Sequence, residues 1–244
     1  DIEMKDNLSR VGRALLSIFL MSSLFGCAGV KGRPEPIVAS ITGGTETFRR
    51  NQIVHAPSGK VVSFGELMDH VSSFDVIFVG EVHTNAEHHL IQVQILQALL
   101  EKVPDLMIGI EFIPRTMQPY LDRYVMEDET EETFLETVDW RKTWGYPYHL
   151  YRPLFLAARR EKAPVFALNA PREIVRKVAR EGLVSLNQEE RSMIPAGLDL
   201  SDEAHRDYVR AAYQRHDHST LRNFEYFYQA QVVRDETMAH SIAE

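Results

Sequence analysis

Three apolar stretches of the sequence are each followed by side chains that could do acid–base chemistry. In chain order these side chains are Glu81, His83, Glu111 and Arg172. Glu81 and His83 are two positions apart, so on an extended segment they point to the same side and can share a water, a ligand or a metal ion. A histidine titrates near neutral pH, and a neighbouring carboxylate fixes which ring nitrogen carries the proton. We therefore expect Glu81 and His83 to act together; the structural alternative is a plain ion pair at the rim of a sheet.

Two more histidines and an aspartate are further candidates. His88 and His89 begin the next predicted helix, and the spacing predicts that His89 leans toward the core while His88 faces the rim or solvent. Asp235 lies on the apolar stripe of the last predicted helix, where a carboxylate is buried unless it is paired. Its candidate partners are Arg234, Arg172 and His83. The remaining histidines of a charged segment are expected at the surface: His205, His216 and His218.

An aromatic-rich stretch runs from Trp140 to Tyr151. It holds both tryptophans and three of the nine tyrosines, with a histidine and two basic residues among them. This composition suits a flat, apolar, anionic ligand, because rings stack on such a ligand, a phenolate or imidazole binds iron, and basic side chains meet carboxylates. The alternative is an aromatic cap over the sheet edge or a surface for a protein partner.

The elements that must position these residues alternate between strand and helix. Apolar runs at 75–79, 106–112 and 164–168 predict strands buried on both faces. Helices are predicted at 63–70, 85–102, 115–126, 150–162, 172–181 and 219–244, and a short hairpin at 52–63. The acidic segment 127–136 is expected to be solvated. The order predicts an α/β fold, an open and mostly parallel sheet flanked by helices, with a helical insertion after the second strand. In such sheets, ligands bind beyond the carboxyl ends of the strands, where the polar residues should converge.

Three strands make a thin sheet, and the long last helix stops without a turn or a further strand. We therefore expect the sequence to be truncated, with one more strand to complete the sheet. The alternative is that the hairpin strands near residues 54 and 62 complete it.

The first residues have the pattern of an export signal. Lys5, Arg10 and Arg13 precede an apolar run that is too short to span a membrane and that ends at Cys27. The sequence 24–27 resembles the bacterial lipobox, which predicts a signal peptide at 1–26, acylation of Cys27, a tether at 27–49 and a folded domain at 50–244. Because Ala28, and not an aspartate, follows the cysteine, we expect the lipoprotein to be sorted to the outer membrane, on its periplasmic side. The alternative is a plain signal peptide in which the cysteine occurs by chance.

Composition excludes several classes of protein. Lys and Arg total 27 against 35 Asp and Glu, giving a net charge of −8, and no long basic run occurs, so nucleic acid is not an expected partner. The apolar fraction of 44% excludes a disordered chain, and a single cysteine cannot form an intramolecular disulfide. No stretch approaches the ~20 apolar residues of a membrane span.

Taken together, the motifs resemble the ChaN-type haem-binding lipoproteins over residues 50–244. That family belongs to a larger group with erythromycin esterases and Tiki metalloproteases. The motifs that carry the resemblance are Gly80-Glu81-x-His83, His88-His89, Gly109-Ile110-Glu111-Phe112, Trp144-Gly145-Tyr146, Ala167-Leu168-Asn169-Ala170-Pro171-Arg172 and Arg234-Asp235-Glu236-x-Met238-Ala239.

The resemblance implies haem binding at the surface of a dimer, with a tyrosine as iron ligand and a histidine near the propionates, in haem or iron acquisition. The tyrosine candidates are Tyr146, Tyr148 and Tyr151. The other candidate haem contacts are His88, His89 and Arg172.

Membership of the same superfamily also suggests a second function, that of a hydrolase. His83 would then be the base for water, Glu81 and Glu111 would orient it or hold a metal, and Asp235 would support them. A His83 substitution is expected to separate the two readings, since a haem site in the aromatic stretch should be largely unaffected. A third hypothesis is that the protein is an interaction module of the cell envelope whose Glu/His site is a relic.

Overall fold

The structure is a computed structural model that describes residues 38–40, 47–49, 51–214 and 223–244. Its contacts divide the chain into two units, Asp1–Leu67 and Met68–Glu244. The predicted signal peptide at 1–26 and the predicted acylation site Cys27 lie outside the described residues. None of the helices in the described ranges is long and apolar enough to cross a membrane.

The first unit contains two small antiparallel sheets. Val38–Ser40 (β1) pairs with Thr47–Arg49 (β2), and Ile53–His55 (β3) pairs with Lys60–Val62 (β4). The second pair confirms the predicted hairpin, but it forms a sheet of its own, so the idea that it completes the main sheet is wrong. The first pair lies within the predicted tether, where no strand was expected, because strands of three residues are too short to show a period of two.

Helix α1 (Phe64–Val71) begins at the predicted cap. The Ser63 N–H donates to the Glu66 carboxylate at 2.7 Å, and the Glu66 N–H donates to Ser63 Oγ at 3.2 Å. These reciprocal bonds form a capping box, and the bond from the Ser63 backbone lowers the pKa of Glu66. The predicted helix start is therefore confirmed.

The second unit is built on a parallel strand pair flanked by helices, which confirms the predicted α/β class. Ile108–Pro114 (β5) pairs with Val165–Asn169 (β6). The helices are α2 (Ala86–Lys102), α3 (Gln118–Met126), α4 (Glu131–Thr137), α5 (Trp140–Thr143), α6 (Tyr148–Glu161), α7 (Arg172–Glu181), α8 (Gln188–Ser192), α9 (Glu203–Tyr213) and α10 (Phe224–Ala243). Short 3₁₀ turns lie at Arg115–Met117 and Leu183–Ser185. Helices α3 to α6 form the predicted insertion between the strands.

The predicted first strand at 75–79 is not formed. The segment follows α1 without ladder pairing, and Val76 and Phe78 are 51% and 82% exposed. Its backbone contact with α2 is a hydrogen bond from Gln92 Nε2 to the Val79 carbonyl at 3.2 Å. An apolar run becomes a strand only when a neighbouring strand supplies hydrogen bonds, and within the described residues β5 pairs with β6 alone.

A side chain takes the place of a neighbouring strand at β6. Gln118 Oε1 accepts a hydrogen bond from the Ala167 N–H at 2.7 Å, and Gln118 Nε2 donates to the Val165 carbonyl at 2.8 Å. Val165 and Ala167 are both buried, so these backbone groups need partners. The start of α3 thereby anchors the sheet.

The insertion packs an aromatic core. Tyr124 and Phe134 stack with ring centroids 4.2 Å apart, and Phe155 packs edge-on against both. Phe134 is fully buried in α4, so the prediction that 127–136 is a solvated segment is wrong at this residue. The acidic residues around it outnumber the two apolar residues, Phe134 and Leu135, that turn this segment toward the core.

Candidate functional site

The carboxylate of Glu81 is the centre of a polar cluster in the loop before α2. Its Oε1 accepts hydrogen bonds from Tyr151 Oη at 2.8 Å and from His83 Nδ1 at 2.7 Å. The Glu81 side chain is 9% exposed and the His83 side chain 34% exposed. The predicted association of Glu81 with His83 is confirmed, and His83 is oriented with Nδ1 toward the protein.

Two residues at the start of α2, Asn85 and His88, hold this loop. The Asn85 side chain caps the helix by accepting from the Glu87 and His88 N–H groups. His88 Nδ1 accepts a hydrogen bond from the Val82 N–H at 2.9 Å. His88 therefore stabilises the loop backbone, and haem contact by His88 stays a prediction.

His89 is buried beneath the loop, as its helical position predicts. Its side chain is 3% exposed, its Nε2 donates to the His83 carbonyl at 3.1 Å, and its Nδ1 lies 3.0 Å from Glu81 Oε2. The ring also packs edge-on against Tyr151 with centroids 4.6 Å apart. Because it is buried, His89 can act on a ligand only through Glu81 and His83.

The aromatic stretch meets the polar cluster at the His83 ring. His83 lies with ring centroids 4.8 Å from Trp144 and 4.6 Å from Tyr146. Gly145 between them has φ +91°, a left-handed conformation that glycine adopts without strain. Trp140 Nε1 donates to the Tyr146 carbonyl at 2.8 Å and holds this turn. The two features that the sequence presents separately are one site.

The three candidate tyrosines have different surroundings. Tyr151 is fully buried, and its hydroxyl is engaged with Glu81. The hydroxyls of Tyr148 and Tyr124 lie 2.9 Å apart, and burial raises the pKa of both phenols. The Tyr146 side chain is half-buried, and no hydrogen bond joins its hydroxyl to any residue that the structure describes. Tyr146 is thus the candidate with an uncommitted hydroxyl.

Glu111 lies on β5 at the edge of the same cluster. Burial, the hydrogen bond with Glu81 and the negative charges of Glu81 and Glu111 raise the pKa of Tyr151. The Glu111 carbonyl accepts a hydrogen bond from Asn169 Nδ2 at 2.8 Å, which joins the ends of β5 and β6. Glu81, His83 and Glu111 thus lie around Tyr151, but not beyond strand ends as predicted, because no strand precedes Glu81 and Glu111 lies within β5.

Arg172 is the first residue of α7, which begins three positions after the last residue of β6. Burial and the nearby charge of Arg176 lower the pKa of its guanidinium, and the charge of Asp139 opposes this. No carboxylate of the described residues forms an ion pair with Arg172. Its positive charge is available to an anionic ligand, and its role in binding stays a prediction.

Asp235 does not join the Glu81 cluster. Its carboxylate lies 3.1 Å from His205 Nε2 and accepts from Gln231 Nε2 at 2.9 Å. The pairing with Arg234, Arg172 or His83 expected from the sequence is wrong, because α9 packs against this face of α10 and presents His205. Asp235 is 38% exposed and lines an open pocket of about 230 Å³ with Asp202, Glu236 and other residues.

Two residues have contacts that differ from those expected from the sequence. His205 was expected at the surface, and its partner is 30 residues away, a distance over which the sequence carries no pairing signal. Tyr151 was one of three candidate iron ligands, and its hydroxyl instead donates to Glu81. The helical spacing of Tyr148, Tyr151 and Phe155 along α6 could have indicated that Tyr151 faces the core. Within the described ranges, no group of three or more His, Cys, Asp or Glu side chains is arranged to hold a metal ion.

Comparison with known proteins assigns the chain to a family. The family described as haem-binding uptake, Tiki superfamily, ChaN matches residues 67–244. The chain belongs to this family. The resemblance stated from the motifs is therefore confirmed, and haem is the cofactor that the family assignment supports.

A solved structure shares the fold. It is that of ChaN from Campylobacter jejuni, described as showing cofacial heme binding; it superposes with a TM-score of 0.60 and is 18% identical, covering 78% of this chain and 73% of that chain. No curated protein matches the chain. At this identity the likeness shows a common fold.

Proposed function

We propose that this chain binds haem on the surface formed by His83, Trp144 and Tyr146, with the Tyr146 hydroxyl as the iron ligand. The observation that carries the proposal is that the hydroxyl of Tyr146 has no hydrogen-bond partner among the described residues, beside the half-buried rings of His83 and Trp144. Tyr151 and Tyr148 already use their hydroxyls within the protein. Freeing either of them would break a buried hydrogen bond, which costs about 1–3 kcal/mol.

The residues present fit a haem group. A porphyrin is a flat apolar ring, and the rings of His83, Trp144 and Tyr146 are neighbours within 5.3 Å of one another. When bound, haem supplies a ferric iron, which a phenolate oxygen ligates, as tyrosine does in some haem proteins. The chain supplies the oxygen ligand and the aromatic surface.

The propionates need positive charge, because the chain as a whole carries −8. Arg141 on α5 is exposed and three positions from Trp144, and Arg172 is free of ion pairs within the described residues. Lys142 is already joined to Asp139 at 2.5 Å. We therefore assign the propionate contacts to Arg141 or Arg172 in preference to Lys142.

Haem or iron acquisition at the cell envelope is the biological role that we propose for this binding. It is supported by the export pattern before Cys27, and acylation of that cysteine would anchor the domain to the outer membrane on its periplasmic side. A homodimer is proposed because the family resemblance implies haem at a dimer surface. Light scattering of the protein with and without haemin tests the dimer, and mass spectrometry of the expressed protein tests acylation.

Titration of the purified domain with haemin, followed by visible absorbance, tests the proposed function. Saturable binding with the spectrum of a ferric phenolate supports it. A featureless, non-saturating increase in absorbance would contradict it. Arg141→Ala and Arg172→Ala are tested in parallel. The variant that lacks a propionate contact should bind with lower affinity and an unchanged spectrum, since the iron ligand stays in place.

A second candidate function is hydrolysis, favoured by the hydrogen-bonded pair of His83 and Glu81. With Nδ1 bound to the carboxylate, His83 Nε2 is the ring atom that could take a proton from water. Ester and amide hydrolysis by the haem-free protein, compared with His83→Ala, tests it. Equal rates for the two proteins would exclude His83 as a base.

A further inference from the structure

An open pocket of about 280 Å³ lies where the end of α4 meets the starts of α5 and α6. None of His83, Trp144 and Tyr146 lines it, so it is distinct from the proposed haem surface. Pockets for drug-sized ligands have volumes of about 300–1,000 Å³, so this one suits a small ligand. Its lining consists of Leu135, Glu136, Asp139, Trp140, Arg141 and Tyr148.

Two aromatic rings form a corner of the pocket. The ring centroids of Trp140 and Tyr148 are 5.0 Å apart, and the ring planes meet at 78°. Both rings are held in place, because Trp140 Nε1 donates to the Tyr146 carbonyl at 2.8 Å and the Tyr148 hydroxyl lies 2.9 Å from that of Tyr124. Fixed aromatic faces at nearly a right angle attract cations, and alkylated ammonium groups are bound in this way.

The pocket also carries charges of both signs that are available to a ligand. The Glu136 carboxylate and the Arg141 guanidinium are exposed, and neither forms an ion pair with any residue that the structure describes. The Asp139 carboxylate, in contrast, is joined to Lys142 at 2.5 Å. Glu136 therefore favours a cation beside the aromatic corner, whereas Arg141 favours a carboxylate or phosphate group. A ligand that satisfies both is a zwitterion.

The turn between α4 and α5 brings these charges to one pocket. Asp139 has φ +41°, a left-handed conformation that aspartate adopts more readily than most residues. Its N–H donates to the Glu136 carbonyl at 3.1 Å, and its carbonyl accepts from the Lys142 N–H at 2.8 Å. Glu136 and Arg141, five positions apart in the sequence, consequently line the same pocket.

We propose that this pocket binds a small zwitterion that carries an alkylated ammonium group and a carboxylate or phosphate. The ammonium group lies in the corner of Trp140 and Tyr148, with Glu136 as its counter-charge, and the anionic group contacts Arg141. Bound zwitterion engages Arg141 and leaves the haem propionates to Arg172, a consequence that rests on the proposed function.

Ligand NMR of the haem-free, full-length chain tests the proposal, with glycine betaine as the carboxylate probe and phosphocholine as the phosphate probe. We expect at least one probe to bind saturably with a dissociation constant of about 1 mM or lower. Its methyl signal should move upfield, because the methyl groups lie over the faces of Trp140 and Tyr148. No saturable shift with either probe would overturn the proposal.

Two simpler probes separate the ends of the ligand. Choline has the ammonium group without the anionic group, and we expect it to bind about fivefold more weakly than the better zwitterion. Acetate and inorganic phosphate lack the ammonium group and should not displace the zwitterion at equal concentration. Displacement by either anion would mean that the aromatic corner contributes no binding, which contradicts the proposal.

Glu136→Gln tests the counter-charge at an exposed side chain whose replacement leaves the core intact. We expect the zwitterion to bind about tenfold more weakly, since the carboxylate beside the ammonium group is lost. The matched control is Glu132→Gln, which changes the same charge at an exposed residue of α4 outside the pocket and should bind as the unaltered protein does. Equal effects of the two variants would show binding elsewhere on the protein and overturn the proposal.

Arg141→Gln tests the anionic end. It should weaken binding of the zwitterion about fivefold and leave choline binding unchanged, because choline does not contact the guanidinium. Arg176→Gln, at an exposed residue of α7 outside the pocket, is the control and should change neither. If Arg141→Gln bound the zwitterion as tightly as the control, Arg141 would not hold the anionic group. Every step uses haem-free protein, so a failure of haem binding would overturn the proposed function and leave these results unaffected.

Discussion

The hydroxyl of Tyr151 donates a hydrogen bond of 2.8 Å to Glu81, a residue 70 positions earlier in the chain. This bond joins the loop before α2 to α6, and both elements carry residues of the candidate site. It removes Tyr151 from the potential iron ligands and makes it a support for Glu81 and His83. The polar loop and the aromatic stretch consequently form one site.

Tyr151→Phe should destabilise the protein without changing its core volume. The change removes a buried hydrogen bond to a charged group, so we expect the free energy of unfolding to fall by about 1.5–3 kcal/mol. Urea unfolding measures it. The control is Tyr208→Phe, at a side chain that is 74% exposed, which should change stability by less than about 0.5 kcal/mol. Equal effects of the two variants would contradict the role of Tyr151.

His83→Ala should weaken haem binding, in contrast to what the sequence alone suggests. Its ring contacts both Trp144 and Tyr146, and each aromatic contact contributes about 0.5–1.5 kcal/mol. We expect the dissociation constant for haemin to rise roughly 5- to 100-fold. His240→Ala, at an exposed residue near the end of α10, is the matched control. If His83→Ala bound as tightly as the control, the ring of His83 would not be part of the surface.

Gln118→Ala should lower the free energy of unfolding much more than the substitution of an exposed glutamine does. It leaves the Ala167 N–H and the Val165 carbonyl of β6 without their partner in a buried setting. We expect a loss of about 2 kcal/mol or more in the free energy of unfolding. Gln188→Ala, at an exposed residue, should cost less than about 0.5 kcal/mol. A small effect at Gln118 would mean that water or another group supplies the hydrogen bonds to the Ala167 N–H and the Val165 carbonyl.

Stability should decline at alkaline pH. Burial raises the pKa of Tyr124 and Tyr148 above the ordinary value of 10.0, so above about pH 10 the unfolded chain releases their protons more readily than the folded chain. Their contribution is complete below that pH and is lost as the pH rises. Urea unfolding from about pH 9 to about pH 11 should show this decline, and Tyr148→Phe should make it shallower. An identical slope in the variant would contradict the assignment.

Elements with strong local signals were predictable. Helix α7 has the predicted bounds Arg172–Glu181, since its apolar spacing is regular and Gly182, with φ +79°, ends it. The cap at Ser63 and the strands β5 and β6 were likewise identified from local patterns. In each case the information lies within about ten neighbouring residues.

The rest depends on partners that are distant in sequence. The run 75–79 has strand composition, but pairing requires a neighbouring strand that the described residues do not provide. The Asp235 and His205 contact and the Tyr151 and Glu81 bond arise from helix packing over 30 and 70 positions. The residue types of the site and the pairing of Glu81 with His83 were therefore predictable, whereas the contacts of this pair with the aromatic stretch were not.

The most direct test compares Tyr146→Phe with Tyr148→Phe and Tyr151→Phe in a haemin titration read by visible absorbance. Of these three tyrosines, only Tyr146 has a hydroxyl that is not bonded to another described residue. Tyr146→Phe alone should therefore abolish the ferric phenolate spectrum while the folded protein keeps its circular dichroism. Folded Tyr148→Phe and Tyr151→Phe proteins should keep that spectrum. If Tyr146→Phe retained the phenolate spectrum, or Tyr148→Phe or Tyr151→Phe lost it while still folded, Tyr146 would not be the ligand.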